Sequence, residues 1–141
     1  MVNKVYDPNQ LSVIFGVIPI SGFAEDTMIT IDVEDPQYNT TTDAHGNPTR
    51  AKVNKNLAKI TITLTQASPS NDVLSSYVEA DRINNSGMFP VMIKDPNGTT
   101  LFSSTGAYVE QVPSVEYGND VKNREWIIRA MNVNKFIGGI K

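Results

Sequence analysis

The sequence predicts an α+β domain that is mainly β: an antiparallel β-barrel or sandwich with one flanking α-helix and a long extended loop. Several segments alternate apolar and polar residues with a period of two, as β-strands do. One segment, 69–83, has the spacing of an amphipathic helix. Charged residues make up only 19% of the chain while Thr, Ser and Asn are plentiful, which favours strands and turns. A length of 141 residues fits a single domain, 1–141.

The most apolar stretch of the chain is "VIFGVIPISGF", residues 13–23. A signal peptide needs a basic n-region and an unbroken apolar core, but only Lys4 precedes the stretch and Pro19 and Gly22 interrupt it. The stretch is also far short of the roughly 20 apolar residues that span a bilayer. We therefore expect no signal peptide and no membrane segment. The β-branched and aromatic first half predicts a strand, with a turn at Pro19, Ser21 and Gly22.

Two further segments, 27–34 and 57–65, predict strands with one apolar and one polar face. The apolar rows are Ile29, Ile31 and Val33 in the first segment and Ile60, Ile62 and Leu64 in the second. The polar rows are Thr30, Asp32 and Glu34 in the first segment and Lys59, Thr61, Thr63 and Thr65 in the second. Each strand is therefore expected to cover a core with one face and to leave the other face wet.

The connection between these two strands, 35–56, is unusually long and polar. It contains Pro36, Gly46 and Pro48, and it carries the only histidine. Connections of more than about 15 residues are uncommon inside compact domains and are usually functional or disordered. This segment is therefore predicted to be either a mobile arm or an extended hairpin.

The predicted helix begins after Ser68, which is a suitable N-cap, with Pro69 at the first helical position and Asp72 in the first turn. Its apolar stripe consists of Val73, Leu74, Tyr77 and Val78. A stripe of this kind must pack against another element. The "NNSG" stretch at 84–87 is expected to end the helix.

The last third of the chain predicts only strands. The predicted segments are 89–94, 99–104, 107–113 and 123–133. The "DPNG" sequence at 95–98 joins the first two segments as a hairpin. Trp126 lies in the apolar last segment and is therefore expected to be buried.

The residue types that carry chemistry are scarce. There is no cysteine, which excludes disulfides and thiol nucleophiles. His45 is the only histidine, and together with Asp43 it supplies two metal ligands where zinc needs three or four. The glycines form no phosphate-binding motif, and a net charge of −3 argues against a nucleic-acid binder. We expect no enzyme activity, no metal and no cofactor.

Three motifs occur in order along the chain: "YDPNQLSVIFGVIPISGFAEDTMITI" (6–31), "GNPTRAKVNKN" (46–56) and "ITLTQASPSNDVLSSY" (62–77). Together they resemble the tail tube proteins of contractile-tailed bacteriophages, a family of phage structural proteins. The match runs over the whole chain, and the S-P-S-N-D-V-L stretch is its most specific part. The first motif departs mildly from the family pattern at Leu11 and Val17.

The resemblance implies a barrel-like subunit with a flanking helix, six copies of which form a ring that stacks with others into a tube. It also implies a place in the virion tail after synthesis in the host cytoplasm. The implied partners are other copies of the chain, the tail sheath protein, the baseplate and the tail terminator. Genomic DNA would pass through the lumen without specific binding, because a negative lumen repels phosphate.

The resemblance leads us to assign roles in the tube to two sets of residues. The long loop is expected to contact a neighbouring subunit or ring through Asp43, His45, Arg50, Lys52 and Lys55. The polar strand faces are expected to line the lumen through Asp32, Glu34, Thr61 and Thr63.

Other readings of the sequence stay open. The tube of a phage-like bacteriocin or of a type VI secretion system would follow the same physics. A carbohydrate- or surface-binding β-module is compatible with the Asn- and Thr-rich loops, although it would need exposed aromatic side chains. A small hydrolase would have to rest on His45, in the loop, and is the reading with least support.

Overall fold

The computed structural model describes residues 7–25, 28–54 and 56–139. Within these residues a short 3-10 helix, Pro8–Gln10, precedes nine strands and one α-helix. The elements are β1 (Ser12–Phe15), β2 (Ile18–Pro19), β3 (Ile29–Val33), β4 (Tyr38–Thr42), β5 (Pro48–Lys52), β6 (Ala58–Thr65), α1 (Ser70–Asn84), β7 (Phe89–Lys94), β8 (Leu101–Gln111) and β9 (Asn123–Phe136).

Seven of the strands form one sheet in the order β2-β1-β7-β8-β9-β6-β3, and every neighbouring pair is antiparallel. The sheet curls into a half-barrel, so the predicted mainly-β antiparallel fold with one helix is confirmed. The remaining two strands, β4 and β5, pair only with each other. They form an extended hairpin within the segment 35–56, which decides between the two predicted forms of that segment.

The core lies on one side of the sheet, because alternate residues of the longer strands point there. In β6 the predicted alternation is complete, with Ile60, Ile62 and Leu64 fully buried and the residues between them half-buried. Trp126 of β9 is buried, as predicted, and its indole N–H donates a 2.9 Å hydrogen bond to the side-chain oxygen of Asn71 in α1. This bond joins the helix to the sheet and leaves no buried indole donor unpaired.

The helix has the predicted extent shifted by one residue. Pro69, and not Ser68, occupies the N-cap position. Pro69 already has helical backbone angles, and the hydroxyl of Ser68 accepts a 3.2 Å hydrogen bond from the backbone N–H of Ser70. At the other end Asn85 adopts a left-handed conformation with φ 57°, and its backbone N–H donates to the carbonyl of Asp81 while that of Ser86 donates to the carbonyl of Ala80, a common helix ending.

Two sequence predictions about strands were wrong in detail. The chain turns at Gly16, which has φ +70°, and not first at Pro19, which lies in β2. The segments predicted separately as 99–104 and 107–113 overlap one continuous strand, β8, which runs from Leu101 to Gln111. Register shifts between Phe89 and Val91 of β7 and between Val109 and Gln111 of β8 let one long strand follow the curl of the sheet.

The β8–β9 ladder sets the long dimension of the subunit. It runs from the pair Leu101 and Phe136 at one end to the pair Gln111 and Ile127 at the other. On its other side, β9 pairs with β6 only from Asn123 to Ala130. The last part of β9 therefore projects beyond β6 and leaves an opening in the wall of the half-barrel.

Candidate assembly surfaces

No group of three or more His, Cys, Asp or Glu side chains in the described part of the chain is placed to hold a metal ion. The imidazole of His45 lies in an exposed turn. With 15 residues, α1 is too short to cross a bilayer, and the described residues include no other helix that could.

The hairpin formed by β4 and β5 is exposed along its whole length. Five residue pairs hold it, from Tyr38 with Lys52 to Thr42 with Pro48, and every residue of both strands is exposed. A two-stranded hairpin without a sheet or core behind it is marginally stable in water. Its strands therefore depend on contacts within the hairpin itself.

The hairpin has two internal contacts that stiffen it. In the tip, the carboxylate of Asp43 accepts hydrogen bonds from the backbone N–H groups of His45 and Asn47, each at 2.9 Å, and from the side-chain amide of Asn47 at 3.2 Å. The hydrogen bonds from Asn47 are the main reason why the pKa of Asp43 is lowered. Nearer the base, the guanidinium carbon of Arg50 lies 4.4 Å from the centre of the Tyr38 ring, a favourable cation–π distance.

The structure thus places most of the predicted contact residues on one element. Asp43 and His45 share the tip, but Asp43 bonds the backbone of His45 and not its imidazole. Arg50 and Lys52 lie on β5 and are exposed. Lys55 lies outside the described residues. The hairpin is thus a stiff, solvated arm.

The predicted lumen residues lie on or beside the face of the sheet that points away from the core. Asp32 of β3 stands opposite Lys59 of β6, and Thr61 and Thr63 follow Lys59 on the same face. Glu34 follows directly after the last residue of β3. Asp32 and Glu34 are exposed, and Thr61 and Thr63 are half-buried. The sequence prediction that these strands keep one wet face is therefore confirmed.

This face also carries an ion-pair cluster that the sequence did not predict. The guanidinium of Arg129 in β9 contacts Glu34 at 2.7 Å and binds both oxygens of Glu110 in β8, at 2.7 and 3.1 Å. The hydrogen bond to Glu110 is the main reason why the pKa of Arg129 is raised, and the same bond lowers the pKa of Glu110. Glu34 is thus compensated by a cation 95 positions along the chain, a pairing that no local pattern reveals.

The part of the face around the cluster carries more carboxylates than cations. Lys59 stands beside Arg129 in the register of β6 and β9. The carboxylates on this part of the face are Asp32, Glu34, Glu110 and Glu125. Four carboxylates against two cations give a surface that repels anions weakly and offers no concentrated positive charge.

Comparisons with known proteins were made on sequence and on structure. No protein-family model matches the chain. The chain is 30% identical over 144 residues to "Structural protein ORF10" of Pseudomonas phage KPP10, an alignment that covers 96% of this chain and 83% of that protein. This relative is a structural protein by its own description.

Solved structures with a similar fold come from contractile injection systems. The anti-feeding prophage cap, described as the tube-terminating cap, has a TM-score of 0.68 and 16% identity, over 96% of this chain and 93% of that chain. The sheath/tube terminator of the extracellular contractile injection system PVC has a TM-score of 0.67 and 18% identity, over 97% and 100%. A chain of the PVC sheath-tube complex has a TM-score of 0.65 and 17% identity, over 96% and 93%. At these identities the likeness establishes the fold alone.

Proposed function

Because this chain belongs to the family of phage structural proteins that includes structural protein ORF10 of Pseudomonas phage KPP10, we propose that it is the tail tube protein of a contractile tail. Six copies form a ring, and rings stack into the inner tube through which DNA leaves the virion. The tube contacts the sheath around it and the baseplate and terminator at its ends. The tube of a phage-derived particle without DNA is built by the same contacts.

The observation that carries the proposal is the β4–β5 hairpin. Its two strands are fully exposed, it has no partner in the main sheet within the described residues, and its own contacts stiffen it. A stiff arm loses less conformational freedom than a mobile one when it binds a neighbour. It is therefore suited to reach another subunit, and Asp43, His45, Arg50 and Lys52 are the side chains that it presents.

The charge of the polar sheet face supports a role as a conduit. We assign the lumen to this face, with Asp32, Thr61 and Thr63 among its lining residues and Glu34 held at its edge by Arg129. A surface with excess carboxylates does not bind the DNA backbone, because binding there would not release counterions. The variant Asp32→Lys should assemble into tubes and slow DNA ejection from phage that carry it. Unchanged ejection kinetics would count against the lumen assignment.

A second candidate is the tube terminator. Two of the solved structures with this fold are described as a tube-terminating cap and a sheath/tube terminator. A terminator forms one ring at the end of a tube and stops its growth. A tube protein must instead carry complementary surfaces on both ends of the ring.

Negative-stain electron microscopy of the purified protein across a concentration series tests both candidates. Hollow tubes of uniform width, lengthening with concentration, are the expected result. Single rings that never stack at high concentration would replace the tube protein with the terminator. Particles no larger than one subunit at every concentration, with and without purified baseplate as a nucleus, would overturn both.

A further inference from the structure

The two ends of the β8–β9 ladder carry apolar surface of different shape. At one end, β8 passes into β9 through the segment 112–122, which we name the end loop. Four of its eleven residues are large, apolar and more than half exposed: Val112, Val115, Tyr117 and Val121. The base of the loop is fixed, since Gln66 and Lys122 exchange hydrogen bonds of 3.0 and 3.2 Å. The side chain of Tyr117, which is 79% exposed, projects from an anchored loop.

The opposite end carries a groove, which we name the end groove. It lies where β9 projects beyond β6, and its volume is about 210 Å³. Side chains of β3, β8 and the segment after β9 line it, chiefly Ile31, Val33, Leu101, Phe102 and Ile137. Ile137 is 78% exposed at its rim. The groove is thus an opening into the apolar side of the half-barrel.

The end loop and the end groove also complement each other in charge. Lys135 is the charged residue that lines the groove. The end loop carries two carboxylates, Glu116 beside Tyr117 and Asp120, against one lysine, Lys122, whose backbone bonds Gln66 at the base of the loop, so the loop is negative by one charge. A tyrosine that enters the groove would therefore bring a carboxylate towards Lys135. By the strand rise of about 3.3 Å per residue, the two features lie roughly 33 Å apart along β8.

Two complementary surfaces at opposite ends of one subunit define a contact that cannot close on a single pair of copies. Such a head-to-tail contact repeats from copy to copy and builds a filament. Exposed apolar patches rimmed by polar residues commonly mark a site of protein interaction. The occupant with both the matching shape and the matching charge is a second copy of this chain.

We propose that the end loop of one copy inserts Tyr117 into the end groove of a copy in the next ring, and that this contact stacks the rings. The inference rests on the proposed function, since it supplies the axial contact that a tube needs. It assigns the axial contact to residues other than the hairpin. It also fixes a polarity, with the end loops of one ring facing the end grooves of the next.

Cysteine cross-linking tests the contact, because the chain has no cysteine of its own. The double variant Tyr117→Cys with Ile137→Cys cannot form the bond within one subunit, since a disulfide needs Cα atoms within about 7 Å. In assembled protein it should give a ladder of dimers, trimers and larger species on a non-reducing gel. The control pairs Ile83→Cys with Ile137→Cys, because Ile83 is similarly exposed, at 73%, but lies on α1. The control should give no ladder.

A titration covers the case in which the double variant does not assemble. Tyr117→Ser should raise the protein concentration needed for tube formation by at least about tenfold, as expected for a residue that anchors an interface. Ile83→Ser should leave that concentration unchanged, and circular dichroism checks that both variants fold.

The outcomes separate the inference from the proposed function. Tubes of the double variant that give no ladder, or a Tyr117→Ser variant that assembles at the wild-type concentration, would overturn the inference and leave the tube role standing. Wild-type protein that forms only single rings would overturn the stacking contact. Wild-type protein that never assembles would overturn the proposed function and the inference together.

Discussion

The strand β6 and the hairpin β4–β5 are both antiparallel β-structure, but they differ in burial and in the number of strands with which they pair. Every second residue of β6 is fully buried, and the strand is paired on both sides, with β3 and β9. Every residue of β4 and β5 is exposed, and each strand has one partner. The first region stabilises the subunit, and the second contributes little to that stability. The molecule thus separates the surface that folds it from the surface that we propose assembles it.

The largest effect on the free energy of unfolding should come from the core side of β6. Ile62 is fully buried, so Ile62→Ala removes apolar contacts and leaves a cavity, at a cost of about 3 kcal/mol. Urea denaturation measures the change. The matched control is Thr61→Ala, one residue away on the polar face, which should cost less than about 1 kcal/mol. Equal costs at both positions would break the contrast between the two faces of the strand.

The next largest effect should come from the bond between helix and sheet. The side chain of Asn71 accepts from the Trp126 indole and donates to the carbonyl groups of Thr65 and Ser68, at 2.9 and 3.0 Å. Asn71→Ala leaves the buried indole N–H of Trp126 without a partner, whereas the two carbonyl groups keep their backbone donors, the N–H groups of Ser68 and of residue 71. The change should cost about 1–3 kcal/mol.

Thermal unfolding followed by circular dichroism provides the measurement for Asn71→Ala. The control is Ser76→Ala on the exposed side of α1, which should change stability by less than about 0.5 kcal/mol. Identical melting temperatures for the two variants would show that the indole bond does not hold the helix.

The sequence predicted those parts of the molecule that a local pattern records. In β6 the alternation of Ile60, Ile62 and Leu64 with polar residues predicts both the strand and its buried face. The corresponding alternation in β3 predicted the polar face that carries Asp32. Contacts between residues that are distant in the sequence could not be predicted, because nothing near Glu34 in the sequence indicates that it pairs with Arg129. The end groove could not be predicted for the same reason, since it forms only where β9 extends beyond the end of β6.

A smaller effect should come from the ion-pair cluster on the polar face. The two carboxylates that bind Arg129 are 40% exposed, so solvent screens the pairs and Arg129→Gln should cost at most about 1 kcal/mol at pH 7. The folded-state pKa of Glu110 lies below its ordinary value of 4.5. The stabilisation is therefore complete above pH 4.5 and is lost as the pH falls through the lowered pKa.

Urea denaturation of the wild type and of Arg129→Gln at pH 7 and pH 3 tests this dependence. The difference between the two proteins should shrink at pH 3. Arg82→Gln serves as the control, because the pair of Arg82 with Glu79 is more exposed, at 71% and 58%. A difference for Arg129→Gln that is the same at both pH values would assign its role to packing and not to charge.

The smallest effect on unfolding, and the sharpest test of the comparison, should come from removing the hairpin. The backbone N–H of Val53 donates a 3.0 Å hydrogen bond to the carbonyl of Gln37, so these residues already face each other at the base. Replacing Tyr38–Lys52 with an Asn-Gly turn closes the chain there with a favoured two-residue connection. Stability should change by less than about 0.5 kcal/mol, because no buried side chain is lost. Assembly, measured by electron microscopy, should be abolished.

A shorter variant locates the part of the hairpin that acts. Replacing Asp43–Asn47 with Asn-Gly keeps all five pairs of β4 and β5 and removes only the tip that holds His45. If both the tip and β5 contact the neighbouring subunit, this variant should assemble, but at a higher protein concentration than the wild type. Tubes of normal width and yield from the full replacement would contradict the division between a folding surface and an assembling surface. They would leave the end loop and the end groove as the contacts that build the tube.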